Sequence, residues 1–262
     1  MPPLRFSERG QGQPVVLLHS GGMSGRQWRR LGDALEKTHR VLAPDFLGSG
    51  DNPVWPSEQP FDFSLDVEAV EQLLASAGPA HLVGHSYGGL IALTLARRHP
   101  ERVRSLAVYD PVAFGVVRAA NDAEGCADLD RIEADAIFTD DARGGDERWF
   151  ELFVNYWNGP GAWRALPDPA RAAFLRVGRK VFYEVRSLMR DRTPASAYAS
   201  ITAPALLLGG ERSPPAARRT LALLAIALPR ASLKTIAGAS HMGPISHADE
   251  VNRAIVEHVA GA

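Results

Sequence analysis

Short apolar runs alternate with helical patterns along most of this chain, and that alternation restricts its fold more than any other feature. Six runs predict strands, at residues 14–20, 40–45, 80–86, 103–110, 204–210 and 232–238. The first five are nearly continuously apolar, which is typical of strands covered on both faces. Helical patterns separate them, as in residues 63–78, where Ser64 and Gly78 are the expected ends. The order predicts an α/β protein with a mostly parallel, doubly wound sheet.

The alternation begins only after an irregular opening segment. The segment "LRFSERGQGQP", residues 4–14, contains two glycines between polar residues. This pattern predicts an antiparallel hairpin at the edge of the sheet.

A long stretch, residues 111–200, has no strand pattern and predicts several helices. It holds 12 of the 20 aromatic residues, against about seven expected from its length. We therefore expect a core at 1–110 and 201–262, with a helical cap inserted at 111–200. Aromatic side chains on the underside of such a cap can face an apolar cavity. Trp149, Phe153 and Trp157, spaced four apart on one helix face, are the candidates for a substrate pocket.

Composition excludes some classes of function. The 262 residues include 29 basic and 30 acidic side chains, which disfavours general nucleic-acid binding. The single cysteine, Cys126, cannot form an internal disulfide and favours a reducing compartment. No run reaches the roughly 18 apolar residues of a membrane span, and no signal-peptide pattern opens the chain. We expect a cytoplasmic protein without nucleic-acid or membrane partners, and the sequence does not indicate its oligomeric state.

A serine between two glycines joins the third predicted strand to a helix, in Gly84-His85-Ser86-Tyr87-Gly88. A strand that turns sharply into a helix leaves no room for side chains beside the turning residue, and the glycines remove those clashes. The helix also begins with N–H groups directed at the same point. The pattern therefore predicts an exposed nucleophile, Ser86, with part of an anion site beside it.

This motif resembles the nucleophile elbow of the α/β-hydrolase family, in the branch that has a serine nucleophile and a helical cap. Four further segments carry the resemblance: "LLHSGG" (17–22), "APDFLGSGDN" (43–52), "YDPV" (109–112) and "IAGASHMGPISHADEVN" (236–252). Together they cover nearly the whole chain. The resemblance implies the α/β-hydrolase fold and a carboxylesterase-like activity.

The family stabilises the oxyanion of its transition state with two backbone N–H groups. One comes from the residue after the nucleophile, here Tyr87. The other comes from the loop after an early strand, where position favours Gly21 and leaves Gly22 as the alternative. Ser20 stands where family members usually have glycine.

The remaining catalytic groups are a base and a carboxylate. His241 follows the last predicted strand, at the family's histidine position, and imidazole is a general base near neutral pH. Many family members have their acid at the position of Ser213, which cannot balance an imidazolium. Asp110, at the end of the strand next to Ser86, is the preferred acid, and Glu211 is the alternative.

Two functions are compatible with these residues. The first is a serine hydrolase that cleaves an ester, or a related acyl or carbon–carbon bond, of a small apolar molecule. The second is a ligand receptor on the same fold that turns over slowly or not at all. Neither needs a cofactor, and no motif indicates a metal site. The charged stretches 122–147 and 171–192 are interpreted as helix faces in water.

Overall fold

The sheet at the centre of the protein has the predicted α/β architecture. A computed structural model describes residues 3–262, in which seven strands form one sheet. The strands are β1 (Phe6–Arg9), β2 (Gln13–Leu18), β3 (His39–Pro44), β4 (Ala80–His85), β5 (Val103–Tyr109), β6 (Ala205–Gly210) and β7 (Ala231–Ile236). Their order is β1-β3-β2-β4-β5-β6-β7, and all pairs except β1–β3 are parallel. The six predicted strands are confirmed, each within two residues of its expected bounds.

The first strand does not form the expected hairpin. β1 lies antiparallel at the edge of the sheet, but it pairs with β3, with Phe6 opposite Pro44 and Arg9 opposite Val41. Both edges of β2 are occupied by β3 and β4, so β1 finds its partner on the free edge of β3. Gly10, at φ 70°, allows the turn away from β2; a Cβ there would lie 2.2 Å from the carbonyl oxygen of His39.

Helices cover both faces of the sheet. The described residues contain α1 (Arg29–Leu35), α2 (Phe63–Ala77), α3 (Tyr87–Arg98), α4 (Gly115–Ala119), α5 (Ala123–Glu133), α6 (Ala136–Thr139), α7 (Glu147–Asn158), α8 (Ala162–Ala165), α9 (Asp168–Arg176), α10 (Gly178–Arg190), α11 (Pro215–Ala227), α12 (Gly243–Ser246) and α13 (Ala248–Ala260). Side chains of α1 and α13 form one core with Val15 and Leu17, whereas α2, α3 and α11 form the other with Val16 and Leu18. This is the alternation expected of a strand buried on both faces. None of these helices is both long and apolar enough to cross a membrane.

The start of α2 differs from the expected one. Asp62, rather than Ser64, caps the helix, because its carboxylate accepts the N–H of Ser64 at 2.9 Å. Gly78 follows the last residue as expected, with φ 83° in the left-handed region.

Seven helices, α4 to α10, lie between β5 and β6, and we call them the helical insertion. Among residues 111–200 no strand is present. Buried side chains of the insertion belong to the same hydrophobic core as α2 and α3. The insertion therefore packs against helices that cover the sheet, with α4 and α5 on α11 and α10 on α2.

Candidate active site

Ser86 lies in a strained turn between β4 and α3. Its backbone has φ 55° and ψ −116°, a conformation that few residues other than glycine adopt. A Cβ on Gly84 would lie 2.4 Å from the carbonyl oxygen of Gly88, and a Cβ on Gly88 would lie 2.3 Å from that of Leu18. Both glycines are therefore required for the strand to turn so closely into the helix.

The side chains of Ser86, His241 and Asp110 come from three separate loops and lie in a row, with His241 between the other two. His241, in the loop between β7 and α12, lies with Nε2 2.9 Å from the Oγ of Ser86. Its Nδ1 lies 3.3 Å from Oδ2 of Asp110, which follows β5. His241 and Asp110 are buried, and Ser86 is 7% exposed. All three loops lie at the carboxyl ends of parallel strands, where open α/β sheets assemble their ligand sites.

Asp110, rather than Glu211, is the carboxylate next to His241. Oδ2 of Asp110 also accepts a hydrogen bond from the hydroxyl of Ser213. Glu211 is exposed, and its Oε2 instead accepts the N–H of Gly238 at 2.7 Å. Sequence reasoning treated Ser213 only as a missing acid and overlooked it as a donor to the acid. The sequence signal for this contact was that Ser213 follows β6 and Asp110 follows β5, which are neighbouring parallel strands.

Burial disfavours the charged form of both partners. It lowers the pKa of His241 below the ordinary value of 6.5. It raises the pKa of Asp110, while hydrogen bonds from Ser213 and from the backbone of Gly210 act in the opposite direction. The resting imidazole is therefore held neutral, which is the form a general base requires.

A relay of hydrogen bonds, which we call the Gln27–His85 relay, connects the loop after β2 to the loop of His241. The N–H of Ser20 donates to Oε1 of Gln27 at 3.0 Å, and Nε2 of Gln27 donates to Nδ1 of His85 at 3.0 Å. Nε2–H of His85 donates to the carbonyl oxygen of His241 at 2.8 Å. Burial lowers the pKa of His85 well below its usual range, so the ring stays neutral with its proton on Nε2. The relay therefore holds the backbone of His241 in place.

His19 makes further hydrogen bonds to the loop after β2. Its Nδ1–H donates to the carbonyl oxygen of Ser20 at 2.7 Å, and its Nε2 accepts the N–H of Phe46 at 3.0 Å. Burial lowers the pKa of His19 to about 4. A neutral ring with one donor and one acceptor thus ties the loop after β2 to the turn after β3.

Two residues beside Ser86 have backbone N–H groups without a hydrogen-bond partner in the described part of the chain. Gly21 and Tyr87 both line the cavity above Ser86, and neither N–H has an acceptor among residues 3–262. The lining includes Gly21 but not Gly22, which has φ 74°. Both unbonded N–H groups therefore belong to residues that border the cavity next to Ser86.

An apolar cavity of about 470 Å³ separates these residues from the helical insertion. Its size is that of a small-molecule site. Two of the three predicted pocket residues, Phe153 and Trp157, line it. The indole of Trp157 stacks on the imidazole of His241, with ring centroids 3.8 Å apart and an interplanar angle of 22°.

Trp149 does not line the cavity, which corrects the expectation for this residue. It is completely buried inside the insertion, where its Nε1–H donates to the carbonyl oxygen of Phe138 at 3.1 Å. Its ring contacts Phe150 and Phe182. Although Trp149 shares a helix face with Phe153 and Trp157, it lies at the end of α7 that packs into the core of the insertion.

A second group of charged residues lies at the wall of the cavity, and we call it the buried ionic cluster. Nζ of Lys180 donates to Oδ2 of Asp66 at 2.8 Å and also to Glu184. Tyr87 donates its hydroxyl to Asp66 at 2.8 Å. Lys180 and Glu184 belong to the stretch interpreted as a helix face in water, and their burial corrects that interpretation. Within residues 3–262, no three His, Cys, Asp or Glu side chains are grouped to hold a metal ion.

Comparison with known proteins shows which proteins this chain resembles in sequence and fold. The chain is 32% identical to the pimeloyl-[acyl-carrier protein] methyl ester esterase of Chromobacterium violaceum, over 95% of both chains. It is 44% identical to the 2-hydroxymuconate semialdehyde hydrolase of Pseudomonas sp. (strain CF600), but only over 38% of this chain and 36% of that one. The crystal structure of a hydrolase from Pseudomonas aeruginosa PA01 has the same fold, with a TM-score of 0.76, 24% identity and coverage of 98% of this chain and 94% of the other.

The decisive comparison extends over most of the sequence. The profile described as the alpha/beta hydrolase family matches residues 15–254, from the second strand to the last helix. The chain therefore belongs to the alpha/beta hydrolase family.

Proposed function

We propose that the protein is a carboxylesterase-like serine hydrolase that cleaves an ester, or a related acyl or carbon–carbon bond, of a small apolar substrate. The observation that carries this proposal is the 2.9 Å contact between Ser86 Oγ and His241 Nε2 at the base of an apolar cavity. A hydroxyl is a weak nucleophile until a base at this distance accepts its proton. The intact pair also favours an enzyme over a receptor.

Acylation begins when Ser86 Oγ attacks the carbonyl carbon of an ester. His241 takes the hydroxyl proton on Nε2, and Asp110, beside Nδ1, orients the ring and stabilises the imidazolium. The negative charge on the former carbonyl oxygen is stabilised by the N–H groups of Gly21 and Tyr87. His241 then gives its proton to the departing alcohol as the carbon–oxygen bond breaks, which leaves an acylated Ser86.

Deacylation repeats these steps with water. His241 removes a proton from a water molecule, which attacks the acyl carbon through a second oxyanion state. The proton then returns to Ser86 Oγ, and the acid product leaves. Trp157 covers His241 throughout, so the imidazolium forms against the face of an indole, where a cation is favoured.

The apolar lining supports an apolar substrate. Phe153, Trp157 and the apolar side chains around them contribute most of the cavity wall. The names of the relatives support the bond class: one is a methyl ester esterase, and another hydrolyses a semialdehyde. We expect aryl or medium-chain esters to have a higher kcat/KM than small charged esters, and the opposite ranking would contradict the proposed pocket.

Covalent labelling tests the nucleophile. A serine-reactive phosphonate should add one mass increment to the protein, and peptide mapping should assign it to Ser86. The Ser86→Ala variant, with unchanged thermal stability, should remain unlabelled and inactive on the ester panel. Full labelling of Ser86→Ala would refute the assignment.

A further inference from the structure

Glu184 is a carboxylate in the wall of an otherwise apolar cavity. Its side chain is 3% exposed, and Oε1 is taken by Lys180. Oε2 has no hydrogen-bond donor among the described residues, and a Cβ built on Gly21 would lie 3.0 Å from it. The free oxygen therefore lies next to the backbone that we assign to the oxyanion.

Two other polar side chains on the insertion's side of the cavity already have partners. The hydroxyl of Tyr156 donates to Asp128 at 2.8 Å, and the amide nitrogen of Asn158 donates to the carbonyl oxygen of Val154 at 3.1 Å. Burying a polar oxygen without a partner is costly. Nε1 of Trp157 also lacks a partner among the described residues but is fully enclosed, so Oε2 of Glu184 is a free acceptor in this wall that a bound molecule can satisfy.

The buried ionic cluster explains why Glu184 is left incomplete. Lys180 faces two carboxylates, and Asp66 receives more donors than Glu184, from the hydroxyl of Tyr87 and from the N–H of Leu47 at 2.9 Å. Burial, reinforced by the charge of Asp66, raises the pKa of Glu184 to about 7, although Lys180 acts in the opposite direction. Burial and the nearby Asp66 therefore favour proton uptake by Glu184, whereas its bond to Lys180 favours the carboxylate.

We propose that Glu184 determines specificity by hydrogen bonding, through Oε2, to a hydroxyl group that the substrate carries close to its scissile carbonyl. A hydroxyl can donate to a carboxylate and accept from a carboxylic acid, so it satisfies either form. An ammonium satisfies only the ionised form and brings a charge into an apolar cavity. The inference rests on the proposed hydrolase function, because it places the hydroxyl relative to Ser86 and Gly21.

Matched esters test the proposal by kinetics. Phenyl butanoate is compared with phenyl 2-hydroxybutanoate and phenyl 3-hydroxybutanoate, and the ratio of kcat/KM for each hydroxy ester to the plain ester is measured. Glu184→Leu should lower the larger ratio about tenfold or more, the effect of one lost hydrogen bond to a charged group. Glu184→Gln should retain more of the ratio, since an amide both donates and accepts. Glu257→Leu, the same change on the exposed face of α13, is the control and should leave the ratio unchanged.

Binding to an inactive protein separates this inference from the proposed function. In a Ser86→Ala background, calorimetry should give a lower Kd for at least one hydroxy ester than for phenyl butanoate, and Glu184→Leu should abolish the difference. This measurement tests the role of Glu184 even if the wild-type protein hydrolyses none of the esters. Absence of hydrolysis would count against the proposed hydrolase function but not against the role of Glu184. Equal Kd values for all three esters, or a preference that survives Glu184→Leu, would overturn the inference. Glu184→Leu leaves the Lys180–Asp66 pair intact, and its melting temperature verifies the fold.

Discussion

At the scale of single residues, Asp110 is constrained in two ways. Its backbone lies in the left-handed region at φ 43°, and its Oδ2 lies between Ser213 and His241. A non-glycine residue in this conformation has a cost, and such outliers are common at functional sites. The cost is consistent with a carboxylate that must be aimed at one ring nitrogen.

Replacing the acid tests this role. Asp110→Asn should keep the shape of the site but favour the wrong tautomer of His241, and we expect kcat to fall by about 10⁴, as in a well-studied triad. Glu211→Gln is the matched control and should have little effect, since Glu211 is exposed and bonds Gly238. Both variants are assayed with one ester after their melting temperatures are compared. Near-wild-type kcat in Asp110→Asn would exclude Asp110 as the acid.

The acid limb of the pH profile is also set by single residues. A general base must be unprotonated, and burial lowers the pKa of His241 from 6.5. The neutral ring therefore persists as the pH falls below 6.5, and where protonation of His241 limits the rate, kcat/KM should decline only at lower pH. Ester hydrolysis from pH 4 to 9, with circular dichroism at each pH, measures this. An acid limb centred at or above 6.5 in folded protein would contradict this prediction and would show that protonation of Asp110, whose pKa burial raises, limits the rate instead.

At the scale of elements, the turn from β4 to α3 depends on the absence of side chains at its glycines. Gly84→Ala would bring a Cβ to 2.4 Å from the carbonyl oxygen of Gly88. We expect it to lower the free energy of unfolding by about 1–3 kcal/mol and to reduce kcat by moving Ser86. Gly261→Ala is the control, because its Cβ would meet nothing closer than 3.4 Å. Thermal melts and ester assays compare them, and equal melting temperatures would show that the turn can relax.

Elements with a local cause could be predicted from the sequence. The apolar runs of the parallel strands and the glycines around Ser86 indicate buried strands and a sharp turn, because those requirements act within a few residues. The partner of β1 could not be predicted, since it depends on which strand edge the rest of the sheet leaves free. The position of Trp149 was wrong for a similar reason: helical spacing identifies a common face but not which part of that face lies over the cavity.

At the scale of the whole molecule, the buried ionic cluster connects the helical insertion to two helices of the sheet domain, α2 and α3. Lys180 of α10 is bonded to Asp66 of α2, and Asp66 is bonded to Tyr87 of α3. The three residues come from distant parts of the chain, and each side chain is almost completely buried. Sequence reasoning missed the cluster because charged residues on a helix ordinarily face water, and only the fold determines which are enclosed. The Gln27–His85 relay was missed for the same reason, since its 58-residue separation leaves no local pattern.

Removing the cation tests this link between insertion and core. Lys180→Met leaves the carboxylates of Asp66 and Glu184 buried without their partner, and we expect the free energy of unfolding to fall by about 3–5 kcal/mol. Adding Asp66→Asn and Glu184→Gln to that variant should restore much of the loss, because no unpaired charge then remains. Chemical denaturation of the three proteins measures the difference. A Lys180→Met protein as stable as the wild type would mean that water reaches the cluster.

Loops after the strands form one wall of the cavity, and the helical insertion forms the other. This division has a consequence for how substrate preference can evolve. Ser86 and His241 follow strands of the sheet, whereas Phe153 and Leu188 belong to the insertion. Mutations that reshape the second wall need not disturb the first, so heritable change can retune substrate preference while the chemistry is preserved. A laboratory selection could therefore mutate only insertion residues away from Trp157 and the buried ionic cluster. We expect such variants to differ in substrate preference and to keep the proposed catalytic residues in place.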